Sequence, residues 1–293
     1  MEINFVTGKG GVGKSAVAAA LALRRARAGF RTILVELGDQ SYFRDYLDLK
    51  EVQYRPQAIK IGGVQFDLAQ WSGQECLKDY ALHILKIESL YRLFFENAVS
   101  RALVNVAPAL PELSILGKIT SGPPRNVGPK LPYDVIVVDA YASGHFMALL
   151  NAPAGLAAAV KFGPMGEQVR SIDSVLHDQE ICHFYVVTLP EELPVVEGLE
   201  LAHNINKRLQ IKPKLLLNRC LFFEEELLTE LEQENSAADH LPSFSKYLLE
   251  LNLRQRLMQD RLLKSGYSTE TLPWVLSFDT KNVLEKLSQE LKI

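Results

Sequence analysis

Cysteine is scarce and scattered in this chain of 293 residues: Cys76, Cys182 and Cys220 form no CxxC pair and no Cys/His cluster. Such spacing argues against a disulfide framework or a structural zinc site, and favours a reducing compartment holding three separate, partly buried thiols. An excess of one charge is also missing. Lys and Arg total 32 against 35 Asp and Glu, a formal net charge of −3. A chain that grips nucleic acid through its phosphates is usually more basic, so no nucleic-acid partner is expected. Long apolar runs are absent too. Ala16 to Leu23 stops at Arg24-Arg25, well short of the about 18 to 20 residues that cross a bilayer, so no direct membrane insertion is expected. The opening Met1-Glu2-Ile3-Asn4 carries no basic segment leading into an apolar stretch, which predicts a cytoplasmic protein without a secretory leader. There is no internal repeat and no low-complexity tract.

What the chain does have is alternation. Ile3 to Thr7 reads as a strand, followed by a Gly-rich loop and a helix from about Ser15 to Ala28 that Gly29 ends. Thr32 to Glu36, Asp134 to Asp139, Phe184 to Leu189, Lys214 to Asn218 and Leu272 to Leu276 read as further strands. Continuous runs such as Val135-Ile136-Val137-Val138 suit strands buried on both faces. Strands that alternate with helices predict an α/β doubly wound fold with a mostly parallel sheet. Two stretches break the alternation, with helical spacing from Leu77 to Val106 and from Glu224 to Ser265, the second interrupted near Pro242. They predict helical insertions over about 72–118 and 224–265 in a single domain spanning 1–293. Thr120 to Pro132 is a Pro/Gly loop that returns the chain to the sheet. Asn282 to Ile293 reads as a docking helix, and Arg24-Arg25-Arg27 as a solvated basic helix end.

Gly8-Lys9-Gly10-Gly11-Val12-Gly13-Lys14-Ser15 matches GxxxxGK[ST] between a strand and a helix, the context a phosphate-binding loop requires. The glycines let successive backbone N–H groups turn toward phosphate oxygens, and the start of the helix, from Ser15 and Ala16 onward, adds its positive dipole end. Lys14 is placed to reach the β- and γ-phosphates of ATP, and the Ser15 hydroxyl to ligand Mg²⁺.

Lys9 makes the loop KGGxGK[ST], and here the sequence resembles the deviant-Walker ATPases: arsenical-pump and tail-anchored-protein-targeting ATPases, septum-site and plasmid-partition ATPases, and the nitrogenase iron protein. In that family two subunits sandwich two nucleotides. The resemblance implies a dimer in which Lys9 acts in trans on the partner's phosphates, like an arginine finger. Tyr133 to His145 is similar to the switch II of the arsenical-pump and targeting branch. Asp139 would hold a Mg²⁺-bound water there, and Gly144-His145 keep the branch's closing pair, while Ala140 to Ser143 depart from its pattern. Pro108 to Glu112 and Thr188 to Leu193 resemble two further segments of that branch. Asn218 falls where the branch reads adenine, with Arg219 in place of the usual Gln; its amide can both donate and accept, although a strand-end Asn also forms turns. Pro273 begins a segment similar to the adenine-side loop.

The region after the second strand fits least. It reads Val35-Glu36-Leu37-Gly38-Asp39-Gln40-Ser41, and Gly38 falls on the branch's catalytic Asp. Asp39 is the candidate base or water-positioning residue, Glu36 a poorer second choice, and Gly38-Asp39 reads equally well as a plain turn. The bridging CxxC of the targeting factors, an iron–sulfur cluster and an arsenite site are not expected from three dispersed cysteines. The Leu77 to Val106 stripe suits either a client groove or simple packing on the chain's own core.

The expected protein is therefore a Mg²⁺-dependent ATP hydrolase. It would act as a homodimer, or as a heterodimer with a related ATPase, and drive a conformational change in a protein client or membrane partner. A catalytically degenerate nucleotide-binding subunit paired with an orthodox relative is the alternative from a different class. A positioning ATPase of the septum or plasmid-partition type is disfavoured by the Gly-His pair and the helical stretches.

Overall fold

The computed structural model of the chain describes residues 1–85, 109–125, 128–159, 163–222 and 243–293. In chain order the elements are β1 (Glu2–Gly8), α1 (Lys14–Arg27), β2 (Thr32–Leu37), α2 (Tyr42–Tyr46), β3 (Gln57–Ile61), β4 (Val64–Trp71), α3 (Gly73–Leu85), α4 (Leu110–Ile119) and β5 (Val135–Ala142). There follow α5 (Ser143–Ala159), α6 (Gly163–Leu176), β6 (Cys182–Thr188), α7 (Glu192–Leu209), β7 (Lys214–Cys220), α8 (Ser243–Leu263), β8 (Thr269–Pro273) and α9 (Thr280–Glu290). The eight strands form one sheet in the order β3-β4-β2-β5-β1-β6-β7-β8. Every neighbouring pair is parallel except β3 with β4.

Both faces of the sheet are covered, which is why the central strands are apolar without alternation. One face packs α1, α2 and α9 through residues such as Val17, Leu21, Phe43 and Leu287. The other packs α4 to α8 through Leu116, Phe146, Val169, Leu201 and Leu262. Phe5 of β1 stacks on Phe184 of β6 with ring centroids 5.2 Å apart at the centre of this second layer. Cys76, Cys182 and Cys220 are all buried there as free thiols. Leaving β1, the chain winds through α1 to β2 on one side; leaving β5, it winds through α5 and α6 to β6 on the other. Parallel sheets bind ligands outside the strand C-termini where winding reverses, and β1 stands at that place.

Several elements depart from expectation. The β3–β4 hairpin was not foreseen, although its Gly62-Gly63 turn, with φ of 53° and 78°, is the two-residue type flanked by alternating Ile59, Ile61, Phe66 and Leu68. β8 lies at Thr269–Pro273 rather than Leu272 to Leu276. Glu270 and Leu272 point inward, Pro273 brings a residue without an N–H to the strand end, and Leu276 is exposed. Of the two helical stretches, α3 with α4 and α8 fall within described residues; 86–108 and 223–242, including the Pro242 break, lie outside them. α3 packs on α4 while α8 packs on α7 and β7, so the described helices join the core at separate places. The final helix docks on α1, where Arg24 Nε donates to the Ile293 carbonyl at 2.9 Å and Arg27 to the Ser288 hydroxyl at 2.8 Å. Those arginines tie down the C-terminal segment rather than forming a purely solvated end.

Candidate nucleotide site

The β1–α1 loop is shaped by close backbone approach. A Cβ on Gly8, whose φ is +146°, would lie 2.3 Å from the Val187 carbonyl oxygen of β6. A Cβ on Gly13, with φ +92°, would lie 2.5 Å from the Asn218 amide nitrogen. Only glycine fits at either position. Gly10 and Gly11 face solvent at the loop's crest, Val12 is buried beneath, and Ala16 begins the packed part of α1. Asn218 is itself buried at the end of β7, and its Nδ2 donates to the Val12 carbonyl at 2.9 Å. The strand-end Asn therefore clamps the phosphate loop instead of forming a local turn.

Parallel register carries two carboxylates to one level beside β1. Val6 of β1 pairs with Asp139 of β5, and Asp139 pairs with Glu36 of β2. Asp139 is fully buried and bonded by the Ser15 hydroxyl, with Lys14 and Glu36 as the charges acting on it. Burial pushes its carboxyl up to about 7, against the lowering effects of Ser15 and Lys14. Its Oδ1 is buried with no hydrogen-bond partner among the described residues. Lys14 is held below the usual lysine range, first by burial, with Asp139 acting the other way. Its Nζ donates to the Lys9 carbonyl at 3.3 Å. The Lys9 side chain reaches Glu197 of α7, with Nζ 2.6 Å from Oε1.

The segment after β2 separates the two carboxylates that the sequence offers. Asp39 is exposed at the rim of a shallow cleft with Tyr54, Gln70 and Glu75, and its charge acts on Tyr141 rather than on Asp139. The cause lies in Gly38: its φ of +133° turns the chain outward, while Gln70 Nε2 holds its carbonyl at 3.0 Å. Glu36, the second choice, is buried facing Asp139. It accepts hydrogen bonds from the Ser41 hydroxyl and the backbone of Tyr42, which fixes the start of α2. Burial raises the Glu36 carboxyl and those bonds oppose the rise.

Other residues fall around this centre. Thr7 Oγ1 donates to the Tyr141 carbonyl at 2.9 Å, tying β1 to the end of β5. His145 is exposed, its ring centroid 5.6 Å from that of Tyr141. Pro273 pairs with Cys220, one strand over and two residues beyond Asn218. Sequence reasoning missed Tyr42, which the Asp139, Arg219 and Glu36 charges all reach, and Glu197. Tyr42 follows Ser41, the N-cap of α2, and that cap is a legible signal. Glu197 sits inside an ordinary amphipathic helix, with none.

A carboxylate oxygen buried without a partner, a second carboxylate and a hydroxyl make an all-oxygen set of the kind Mg²⁺ prefers, so the residues fit that ion. A parallel sheet with a glycine loop running into α1 and a buried Asp at the end of the neighbouring strand defines a P-loop α/β protein. The chain belongs to the anion-transporting ATPase family, whose model matches residues 1–163. It is 32% identical over 210 residues to ATPase BagA of Mycobacterium tuberculosis, covering 68% of this chain and 59% of that protein. It is 24% identical over 237 residues to a Halobacterium salinarum protein provisionally named an arsenical pump-driving ATPase, covering 75% of this chain and 36% of the other. It is 28% identical over 152 residues to ATPase ASNA1 homolog 1 of Paramecium tetraurelia, covering 51% and 43%. The chain thus spans about three fifths of the length of the mycobacterial relative. No described helix is long and apolar enough to cross a membrane.

Proposed function

We propose that this chain binds Mg·ATP at Gly8 to Ala16 and transfers the terminal phosphoryl group to water, working as one half of a nucleotide-gated dimer. The observation that carries the reading is the buried Asp139, set by β5 against Ser15 and Lys14 with one carboxylate oxygen unpartnered. The loop amides and the N-terminus of α1 hold phosphate oxygens. Lys14 leaves the Lys9 carbonyl to place its charge on the β- and γ-phosphates. Ser15 and Asp139, with Glu36 behind them, would hold Mg²⁺, which would supply positive charge against the phosphate oxygens. Asn218 keeps the loop in register from below, and its strand end, with Pro273 on the next strand, forms the base-binding side. Lys9 of each protomer supplies a charge to its partner's phosphates. Loss of the terminal phosphate releases the β2–α2 turn and the end of β5, which moves α4 and α5 and so acts on a protein client or membrane partner.

The position of Asp39 favours a second reading. With Gly38 where the family's catalytic Asp falls and Asp39 turned to solvent, the chain would bind ATP but depend on an orthodox relative for rapid hydrolysis. Steady-state turnover with light scattering for mass separates the two. Lys14→Ala should lower turnover at least about a hundredfold, since a half-buried charge that would face the transferring phosphate is lost. Turnover of the variant equal to wild type would remove the site assignment, while tight ATP binding without turnover in wild type would support the second reading.

A further inference from the structure

The two lysines of the phosphate loop are both occupied inside their own protomer, and one residue joins them. The Lys9 carbonyl accepts from Lys14 Nζ at 3.3 Å, while the Lys9 side chain is paired with Glu197 at 2.6 Å. The pair is only partly exposed, with side-chain exposures of 41% for Lys9 and 34% for Glu197. Glu197 Oε2 is buried without a hydrogen-bond partner among the described residues, so Lys9 is the neutralising group found for that carboxylate. A turn earlier on the same helix face lies Leu193, 60% exposed, and beside Glu197 lies Val196, 37% exposed. Apolar side chains at spacings of three and four residues around an ion pair mark a surface suited to being covered.

We propose that Glu197 is a positioning residue that restrains Lys9 in cis and keeps it from a second copy of this chain until nucleotide binds. This rests on the reading of Lys9 as a residue that acts across a dimer. For Lys9 to reach a partner's phosphates, its ammonium must leave Glu197, and the motion of its backbone loosens the contact that holds Lys14. Lys14 moving to a phosphate removes the restraint on the Lys9 carbonyl in return. The two steps reinforce each other: loading the protomer's own phosphates loosens the residue destined for the partner. α7 follows β6, whose Val187 carbonyl lies beneath Gly8, so the restraint and the loop share one support.

The test compares the full chain with Glu197→Gln, which keeps shape and polarity but removes the charge, and with Glu197→Asp, which keeps the charge on a shorter arm. Without nucleotide, the Lys9 amine is acylated with a small amine-reactive reagent and followed by peptide mass spectrometry, with other lysines as internal standards. Glu197→Gln should speed labelling of Lys9 severalfold and leave the standards unchanged, with Glu197→Asp between. In a second arm, ATP turnover is measured against protein concentration. The Gln variant should reach half-maximal turnover at a concentration about three- to tenfold lower, the scale expected when a partly exposed ion pair is released in each of two subunits. Unchanged Lys9 labelling overturns the proposal. Faster labelling with a higher concentration requirement overturns it as well, because Glu197 would then serve the assembled dimer rather than restrain it. If wild type shows no turnover, the dimeric ATPase reading fails, and labelling still decides whether Glu197 holds Lys9.

Discussion

The β1–α1 loop and the β2–α2 turn follow the two strands that flank β5 in one helix-covered sheet, yet they are built differently. The first is fixed by backbone: Gly8 lies against the Val187 carbonyl, Gly13 against Asn218, and the loop can take few other paths. The second is fixed by side chains: Glu36 binds Ser41 and Tyr42, and Gln70 binds the Gly38 carbonyl. Backbone-determined shape is written in local residue types. Side-chain-determined shape depends on which groups turn inward, and chain position alone does not tell that Glu36 faces Asp139 while Asp39 faces solvent.

The largest expected effect sharpens this contrast. Asp139→Asn should lower Mg²⁺-dependent turnover by about a hundred- to a thousandfold, since it removes a charge from the buried oxygen set that would hold Mg²⁺ in the proposed function. Asp39→Asn should change turnover less than about threefold. Steady-state phosphate release at saturating Mg·ATP checks both. Equal losses in the two variants would place Asp39 in the reacting geometry and break the distinction drawn between the two turns.

The same contrast explains what the sequence made legible. The doubly wound sheet, the loop lysines, Ser15 and Asp139 could all be read in advance, because a Gly-rich loop between strand and helix and an apolar strand ending in Asp are local patterns. Register then did the rest: parallel pairing of β1, β5 and β2 sets Val6, Asp139 and Glu36 side by side. Glu36 was ranked below Asp39 because chain position alone cannot say which carboxylate turns inward; Gly38 decides it by its positive φ. The Glu197 contact joins residues 9 and 197, a separation at which no motif operates. The Asn218 clamp was half visible: the residue could be picked out, but its bond to Val12 depends on β7 standing two strands from β1.

The next effect concerns stability. Asp139 titrates near 7 when folded and near 3.8 otherwise, so its proton is bound more tightly in the folded state. A raised carboxyl contributes stability that is full below about pH 4 and is lost as pH rises through about 7. Metal-free protein should therefore lose up to about 4 kcal/mol from this group between pH 4 and 8, an upper figure because other groups relax around the charge. Denaturant midpoints measured across that range should show the slope in wild type and a flatter one in Asp139→Asn. Added Mg·ATP should reverse the loss at the alkaline end, because the ionised carboxylate then has a cation to face.

The smallest effect probes the second turn from within. Glu36→Gln keeps the side-chain length and one acceptor oxygen, so the bonds that start α2 are only partly lost. It also removes the second negative charge facing Asp139. Weakening of the bonds to Ser41 and Tyr42 should cost about 1 kcal/mol of stability. Removing the charge should weaken Mg²⁺ affinity by about three- to tenfold, since a cation near both carboxylates loses one of them. It should also lower the Asp139 carboxyl, because Glu36 is among the charges that raise it. The pH slope of metal-free stability should therefore become shallower in Glu36→Gln. Mg²⁺ titrations of turnover and pH-dependent unfolding read the two consequences separately. A Glu36→Gln variant with both unchanged would mean that Glu36 serves only to start α2, and that the two turns divide cleanly into one that handles charge and one that merely supports it.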